Sequence, residues 1–387
     1  MQHLSTASQE LFKRSPDETF SSVAALSNHC QQERNSSSVL WQSPERFNAR
    51  SLDSRTLVLA ESEVQAGQAM ASRSFRSASF GSALSDNDEP PTTSFKSVGQ
   101  EASQEAHRPY GTYPMNDWSF GQLCRLVGVE KRTINRLTAG TASRVFEETL
   151  PRGNKPLQVF TIDEQVRSIH GSSYTRLHNA EVLDVVLDAA DGFDAPPKGF
   201  NGATGLYCGE QDMFCFLIDP TGWIEINDES FAPGFFVWNS EVGRRTLGIQ
   251  TFWFQQICQN HIVWDAVEVF DLKRKHTANV HRGLGEIRSA IERLTSRRDE
   301  RRDHFAETIK RAMDSRFEDA DDAYKAVMKT GVGQRLAKQA VELVQQNGRL
   351  TIFSMVDALT RLSGKIANAG DRNEVDQQVG QLLTLAV

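Results

Sequence analysis

Between Gly199 and Arg282 the chain alternates short apolar runs with turn residues: GLYCGEQDMFCFLID, PTGWIEI and FAPGFFVWNSEVGRRTLGIQTFWFQQICQNHIVWDAVEVF. β-Branched and aromatic side chains fit a pleated surface, and the Gly, Asn, Asp and Pro between them let the chain reverse. The block therefore predicts a meander of antiparallel strands. It ends in Lys273-Arg274-Lys275-His276, which leads straight into an Arg-rich helical stretch. That junction of sheet and basic helix is the first place to look for function.

The flanks obey a different period. Ahead of the block, Asp117 is available to cap a helix carrying Trp118, Leu123 and Leu126, ended by Gly128. Helices over Glu130–Leu137 and Thr141–Leu150 follow, then a hairpin of LQVFTI and QVRSIH across Asp163-Glu164, then a helix from Asn179 to Ala190. Beyond residue 282 the apolar positions Leu284, Ile287, Ile291, Leu294, Phe305, Ile309 and Met313 recur at helical spacing, and helical patterns continue to the last residues. Strands followed by helices, without alternation, give an α+β class: a curved antiparallel sheet core with helices before it and an all-helical C-terminal region.

The N-terminal third departs from both patterns. Phe20, Val23, Leu26 and Cys30 fit a helix over 17–34 with Asp17 as its cap, and Trp41 and Arg55–Ala60 suggest short strands. This piece, 1–59, is expected to dock on the core. Residues 60–112 are Ser-rich without a sustained period, too poor in apolar surface to offset ordering entropy, and read as a disordered linker. The core then occupies 113–282 and the helical region 283–387.

A net charge of −7 argues against phosphate neutralisation over the whole surface and leaves local patches as the route to a polyanion. Five cysteines without framework spacing imply reduced thiols and a cytoplasmic location. The absence of any long apolar run implies no membrane partner.

Four constellations bear on chemistry. Residues 120–137 read as a helix-turn-helix with Lys131, Arg132, Asn135 and Arg136 exposed to a DNA groove, or as two helices packed on the sheet. From 273 to 311 basic residues outnumber acidic ones twelve to six; RRDERRD suggests internal ion pairs, whereas the KRKH cluster is followed by no acid until Glu286. Cys258 and His261 have a zinc-ligand spacing, but Cys208 and Cys215 do not make a second pair, so the cysteines read as packing thiols and no metal or other cofactor is expected. Finally, Asn239-Ser240-Glu241-Val242-Gly243-Arg244-Arg245 is a loop between strands whose two arginines either hold an anion or protect a sheet edge.

With these residues in view, the chain from Trp118 onward resembles the phage- and plasmid-associated bacterial proteins grouped as domain of unknown function 932. The resemblance is carried by QLCRLVGV at 122–129, VRSIHGSSYTRLHNAEVL at 166–183, PGFFVWNSEVGRRTLGIQTFW at 233–253, ICQNHIVW at 257–264 and KHTANV at 275–280. It implies a nucleic-acid role tied to mobile elements and recombination. It also implies one functional surface from Asn239, Glu241, Arg244, Arg245, Asn260 and His276, with Tyr174 and Arg176 as stacking or phosphate contacts. The expected function is a non-enzymatic, single-stranded DNA binding or annealing protein. Lys273, Arg274, Lys275, Arg244 and Arg245 would hold phosphates while sheet aromatics stack bases. A duplex-binding regulator and an enzyme centred on the Asn239–Glu241 loop remain the alternatives, and self-association into a homo-oligomer stays open.

Overall fold

The computed structural model describes residues 10–53, 55–61, 111–198, 205–256, 260–262 and 272–387. Most of the Ser-rich stretch, along with Cys258, lies outside them. The chain forms two compact units, each made of two pieces: Met1–Lys13 with Ser37–Ser172, and Arg14–Ser36 with Ser173–Val387. The compositional boundaries near 59, 112 and 282 follow changes of secondary structure. The two units follow contact, so the second unit takes in strands and C-terminal helices together.

The second unit opens with β1 (Glu18–Thr19) and α1 (Val23–Asn35). Ser22 caps α1 by accepting from the Ala25 N–H, so the helix starts one turn later than a cap at Asp17 would set. Asp17 is used elsewhere: its carboxylate accepts from the backbone N–H of Ala369 at 2.7 Å.

The first unit holds β2 (Ser37–Gln42), β3 (Phe47–Ser51), β4 (Leu57–Glu61), β5 (Thr112–Pro114), α2 (Asp117–Leu126), α3 (Lys131–Ile134), α4 (Ala139–Thr149), β6 (Leu157–Ile162) and β7 (Gln165–His170). Its strands make two three-stranded sheets, β2-β6-β7 and β3-β4-β5. The expected linker begins and ends inside paired strands, since Ala60 lies opposite Thr112. The β6–β7 hairpin turns at Asp163 and Glu164, both in the left-handed region with φ 47° and 64°, as a tight two-residue reversal of right-twisted strands requires. Asn116 and Ser119 form a capping box on α2, one residue ahead of the expected Asp117 cap. Gly128 ends that helix with φ 74°.

After Ser173 the chain adds to the second unit α5 (Asn179–Ala189), β8 (Leu206–Cys208), β9 (Met213–Ile218), β10 (Ile224–Ile226), β11 (Glu229–Asn239), β12 (Leu247–Gln255), β13 (Asn260–Ile262) and β14 (Leu272–Arg274). The helices α6 (Arg282–Ser296), α7 (Arg298–Asp314), α8 (Ala320–Lys329), α9 (Gln334–Asn347), α10 (Ile352–Ser363) and α11 (Ala369–Gly380) follow, with a closing 3-10 turn at Gln381–Ala386. The eight strands make one antiparallel sheet ordered β1-β8-β9-β11-β12-β13, with β10 on β11 and β14 on β12. The α+β class and the strand meander read from the sequence are present.

Alternation along the long strands sorts their side chains. Phe235, Val237, Leu247, Ile249, Cys215 and Leu217 pack with Leu26 and Cys30 of α1, Val182, Leu183 and Val186 of α5, and Ile287 and Ile291 of α6. At the far end, Phe231 and Trp253 meet the C-terminal helices; the Trp253 and Phe305 rings stack 3.8 Å apart. The opposite face carries Phe214, Phe216, Phe236, Trp238, Phe252 and Phe254, all buried and largely in contact with one another. No helix among the described residues is long and apolar enough to cross a membrane.

Candidate functional site

The Asn239–Arg245 loop leaves the end of β11 and turns into the protein. Glu241 is 5% exposed, and its Oε1 accepts the Asn179 backbone N–H at 2.6 Å, at the start of α5. Its Oε2 lies 3.4 Å from His178 Nδ1. Burial alone would push this carboxyl up; the His178 hydrogen bond and charge, the Asn179 N–H and the Arg176 guanidinium outweigh it, and the group titrates below the ordinary glutamate range. Asn239 donates to the Leu177 carbonyl and to the Asn179 side chain, each at 2.9 Å. Tyr174 Oη donates to the Glu241 carbonyl at 2.9 Å, and Arg176 donates to the same oxygen. The His276 ring stacks on Tyr174 at 5.4 Å.

Asn239, Glu241, Tyr174, Arg176 and His276 therefore do converge, but they converge inward. They form a largely buried polar knot that ties the loop to α5, and the Tyr174 hydroxyl and Arg176 guanidinium, expected to meet bases and phosphates, are spent on a backbone carbonyl. His276 is 7% exposed, and burial first, with the Arg176 charge adding to it, lowers its pKa to about 4. It is neutral at pH 7 and attracts no phosphate.

The neutral imidazole links stability to acidity. A group whose folded pKa lies below its unfolded value contributes stability that is complete above about 6.5 and is lost as pH falls to about 4. The shift corresponds to about 3 kcal/mol. Asp376, buried between Arg372 and Ser363 and raised to about 6 by burial, works in the opposite direction over nearly the same window. Only a difference measurement isolates the histidine. The stability gap between wild type and His276→Gln should shrink by about 3 kcal/mol from pH 7 to pH 4 in urea titrations; parallel curves would mean that His276 titrates normally.

Arg244 and Arg245, expected as anion holders, face acids. Arg245 Nε meets Asp212 at 3.0 Å and Nη1 meets Glu374 at 2.7 Å, while Arg244 lies 3.6 Å from Glu374. Arg14 joins the group through Asp371 at 3.2 Å. Asp212 comes from the approach to β9, 33 residues away, and Asp371 and Glu374 from α11, far away in sequence, which is why the loop read as free charge.

The KRKH segment divides by alternation. Arg274 is engaged by Glu286 of α6 through two guanidinium nitrogens, Nη2 and Nε, the latter at 2.7 Å. Lys273 and Lys275 are exposed. Further on, Val280 is fully buried while Thr277, Ala278, Asn279, His281 and Arg282 are exposed. Residues 273–282 thus form a strap pinned by His276 and Val280, with its cations outward. The strap ends at the N-terminus of α6, whose first turn contains no acid. Four of the arginines beyond are neutralised locally: Arg288 by Asp188, Arg297 by Glu300, Arg302 by Asp299 and Asp303, and Arg311 by Glu307.

The remaining candidates are quickly placed. Asn260 lies in β13, opposite Gln255, and its side chain is outside the described residues. In the first unit, the helix expected over Glu130–Leu137 is the single turn α3; Asn135 is buried and its amide brackets the backbone of Phe12 with two 2.8 Å bonds, and Lys131 meets Asp117 at 2.7 Å. One turn cannot project into a major groove. Phe214, Phe216, Phe236, Trp238, Phe252 and Phe254 of the large sheet are buried, so these rings are closed to a base. Reading the sequence alone missed one cluster altogether: His29 and Glu33 of α1 beside Cys208 of β8. No protein-family model, curated protein or solved structure matches the chain.

Proposed function

We propose that the protein binds the sugar–phosphate backbone of nucleic acid, single-stranded DNA foremost, along the strap Lys273–Arg282. The carrying observation is the division of side chains there: His276 and Val280 anchor the segment while Lys273, Lys275 and Arg282 project outward beside an acid-free helix start. Cations held on a pinned backbone lose less entropy on meeting phosphates than cations on a floppy tail, and the positive end of α6 adds to their field. A flexible single strand can follow a strap of this length, whereas the described residues offer no helix pair suited to a groove.

Anisotropy titrations of a labelled oligothymidylate and a duplex of equal length, at several salt concentrations, test the reading. The single strand should bind more tightly. Lys273, Lys275 and Arg282 changed together to Ala should flatten the log K against log salt line by about 2, at roughly 0.7 per lost contact. Lys131→Ala with Arg132→Ala should leave it unchanged. An unaltered slope in the triple variant, or no binding by wild type at low salt, rejects the reading.

A further inference from the structure

We propose that His29, Glu33 and Cys208 form a site for a divalent transition metal, zinc above all, clamping α1 to the edge of the large sheet. The nucleic-acid reading plays no part in this. His29 and Glu33 stand four residues apart on α1, so their side chains share one face of the helix one turn apart. Cys208 reaches them from β8.

The three ligand atoms all lie within 4.8 Å of one another. His29 Nε2 is 3.7 Å from Glu33 Oε2, and Cys208 Sγ is 3.9 Å from the same oxygen. Tetrahedral zinc with Zn–N and Zn–O near 2.1 Å and Zn–S near 2.3 Å spaces its ligand atoms about 3.4–3.6 Å apart, so small side-chain adjustments admit the ion.

The donor set selects the metal. A thiolate excludes magnesium and calcium in practice, and an imidazole with one carboxylate completes the mixture that zinc and cobalt(II) accept. The surroundings fit as well. Asn179 Nδ2 lies 4.0 Å from Cys208 Sγ, an amide donor suited to a thiolate, and the Cys30 thiol adjoins Cys208. Glu18 pairs directly with Cys208 across β1 and β8, so its side chain leaves the sheet on the same face. The His29 and Glu33 side chains keep 26% and 15% of their exposure, leaving water an approach to a fourth position. On binding, the metal takes the place of the Cys208 thiol proton and of any proton on the ligating His29 nitrogen, and what it displaces passes to solvent.

The test uses the full chain, stripped with chelator and reduced, titrated with cobalt(II) and then zinc. One cobalt per chain should bind, with a thiolate-to-cobalt charge-transfer band in the near ultraviolet that equimolar zinc removes. Zinc at a hundredfold excess over its Kd should raise Tm by roughly 5 °C. Cys208→Ser should abolish the band, while Cys215→Ser, at a buried thiol of β9, should leave it intact. His29→Gln and Glu33→Gln, at partly exposed positions that tolerate substitution, should each weaken binding at least about tenfold. They keep the test decisive if the Cys208 variant folds poorly. Absence of a one-to-one complex in wild type, or affinity unchanged in both Gln variants, overturns the proposal. So does a band lost in Cys258→Ser and kept in Cys208→Ser, which would assign the metal to the Cys258–His261 pair.

Discussion

Glu241→Ala should lower the stability of the second unit by about 3–5 kcal/mol, the range for removing one partner from a buried charged group. The carboxylate accepts the first N–H of α5 and sits against His178, with Arg176 adding its charge. Truncation leaves that N–H and two potentially cationic side chains in a dry site with no counter-charge at their centre. Calorimetry should record a fall in Tm on the order of 10 °C for a unit of this size. Glu241→Gln keeps an acceptor for the helix and loses only the charge, so it should cost about 1–3 kcal/mol. An Ala variant melting with wild type would show that the knot contributes nothing. An Ala variant no worse than Gln would show that the charge, not the hydrogen bond to α5, is what matters.

Gly248→Ala should cost about 3 kcal/mol and weaken the proposed DNA binding without removing a single charge. A Cβ at this position meets Trp238 Cζ2 at 2.1 Å and the Leu272 carbonyl oxygen at 2.5 Å. Trp238 is 4% exposed and wedged against Phe236, so it has nowhere to swing, and the other neighbour is the backbone of β14 itself. Overpacking of this kind typically costs 1–3 kcal/mol. The cheaper relief is for β14 to lift off β12, carrying away Lys273, which lies opposite Gly248. Hydrogen exchange should then show the amides of Leu272–Arg274 losing protection before the rest of the sheet. Gly285→Ala, in open space on α6, is the contrasting change and should stabilise by about 0.5–1 kcal/mol. Equal behaviour of the two alanines would remove steric pressure as the cause.

The parts of this fold that sequence discloses are those governed by neighbours in the chain. The β6–β7 hairpin was legible because its turn residues and both alternating runs sit within fourteen positions. The helices beyond Arg282 were legible because a 3.6-residue period needs no partner to be recognised. Charge pairing was not. Arg244 and Arg245 looked like free cations because Glu374 lies some 130 residues away, and Lys131 looked groove-facing because Asp117 belongs to another helix. Within the KRKH run, strand alternation alone would have separated Arg274 from its neighbours, but not told which side held Glu286. The cluster at His29 was hidden for the same reason: Cys208 follows Glu33 by 175 positions. Polar residues acquire their roles from tertiary neighbours, and a single sequence does not name those neighbours.

The interleaving of the two units also sets a timetable for synthesis. Helix α1 leaves the ribosome ahead of β2 to β7, yet Leu26 and Cys30 pack on α5 and β8, which are made roughly 150 residues later. At about 5–20 residues per second the wait is on the order of ten to thirty seconds. Within that interval the strands β2 to β7 are all translated, so the first unit can close while Leu26 and Cys30 of α1 still lack their partners. A nascent chain of this design holds α1 away from its partners for roughly 150 residues of synthesis, an interval in which the helix is open to chaperone capture.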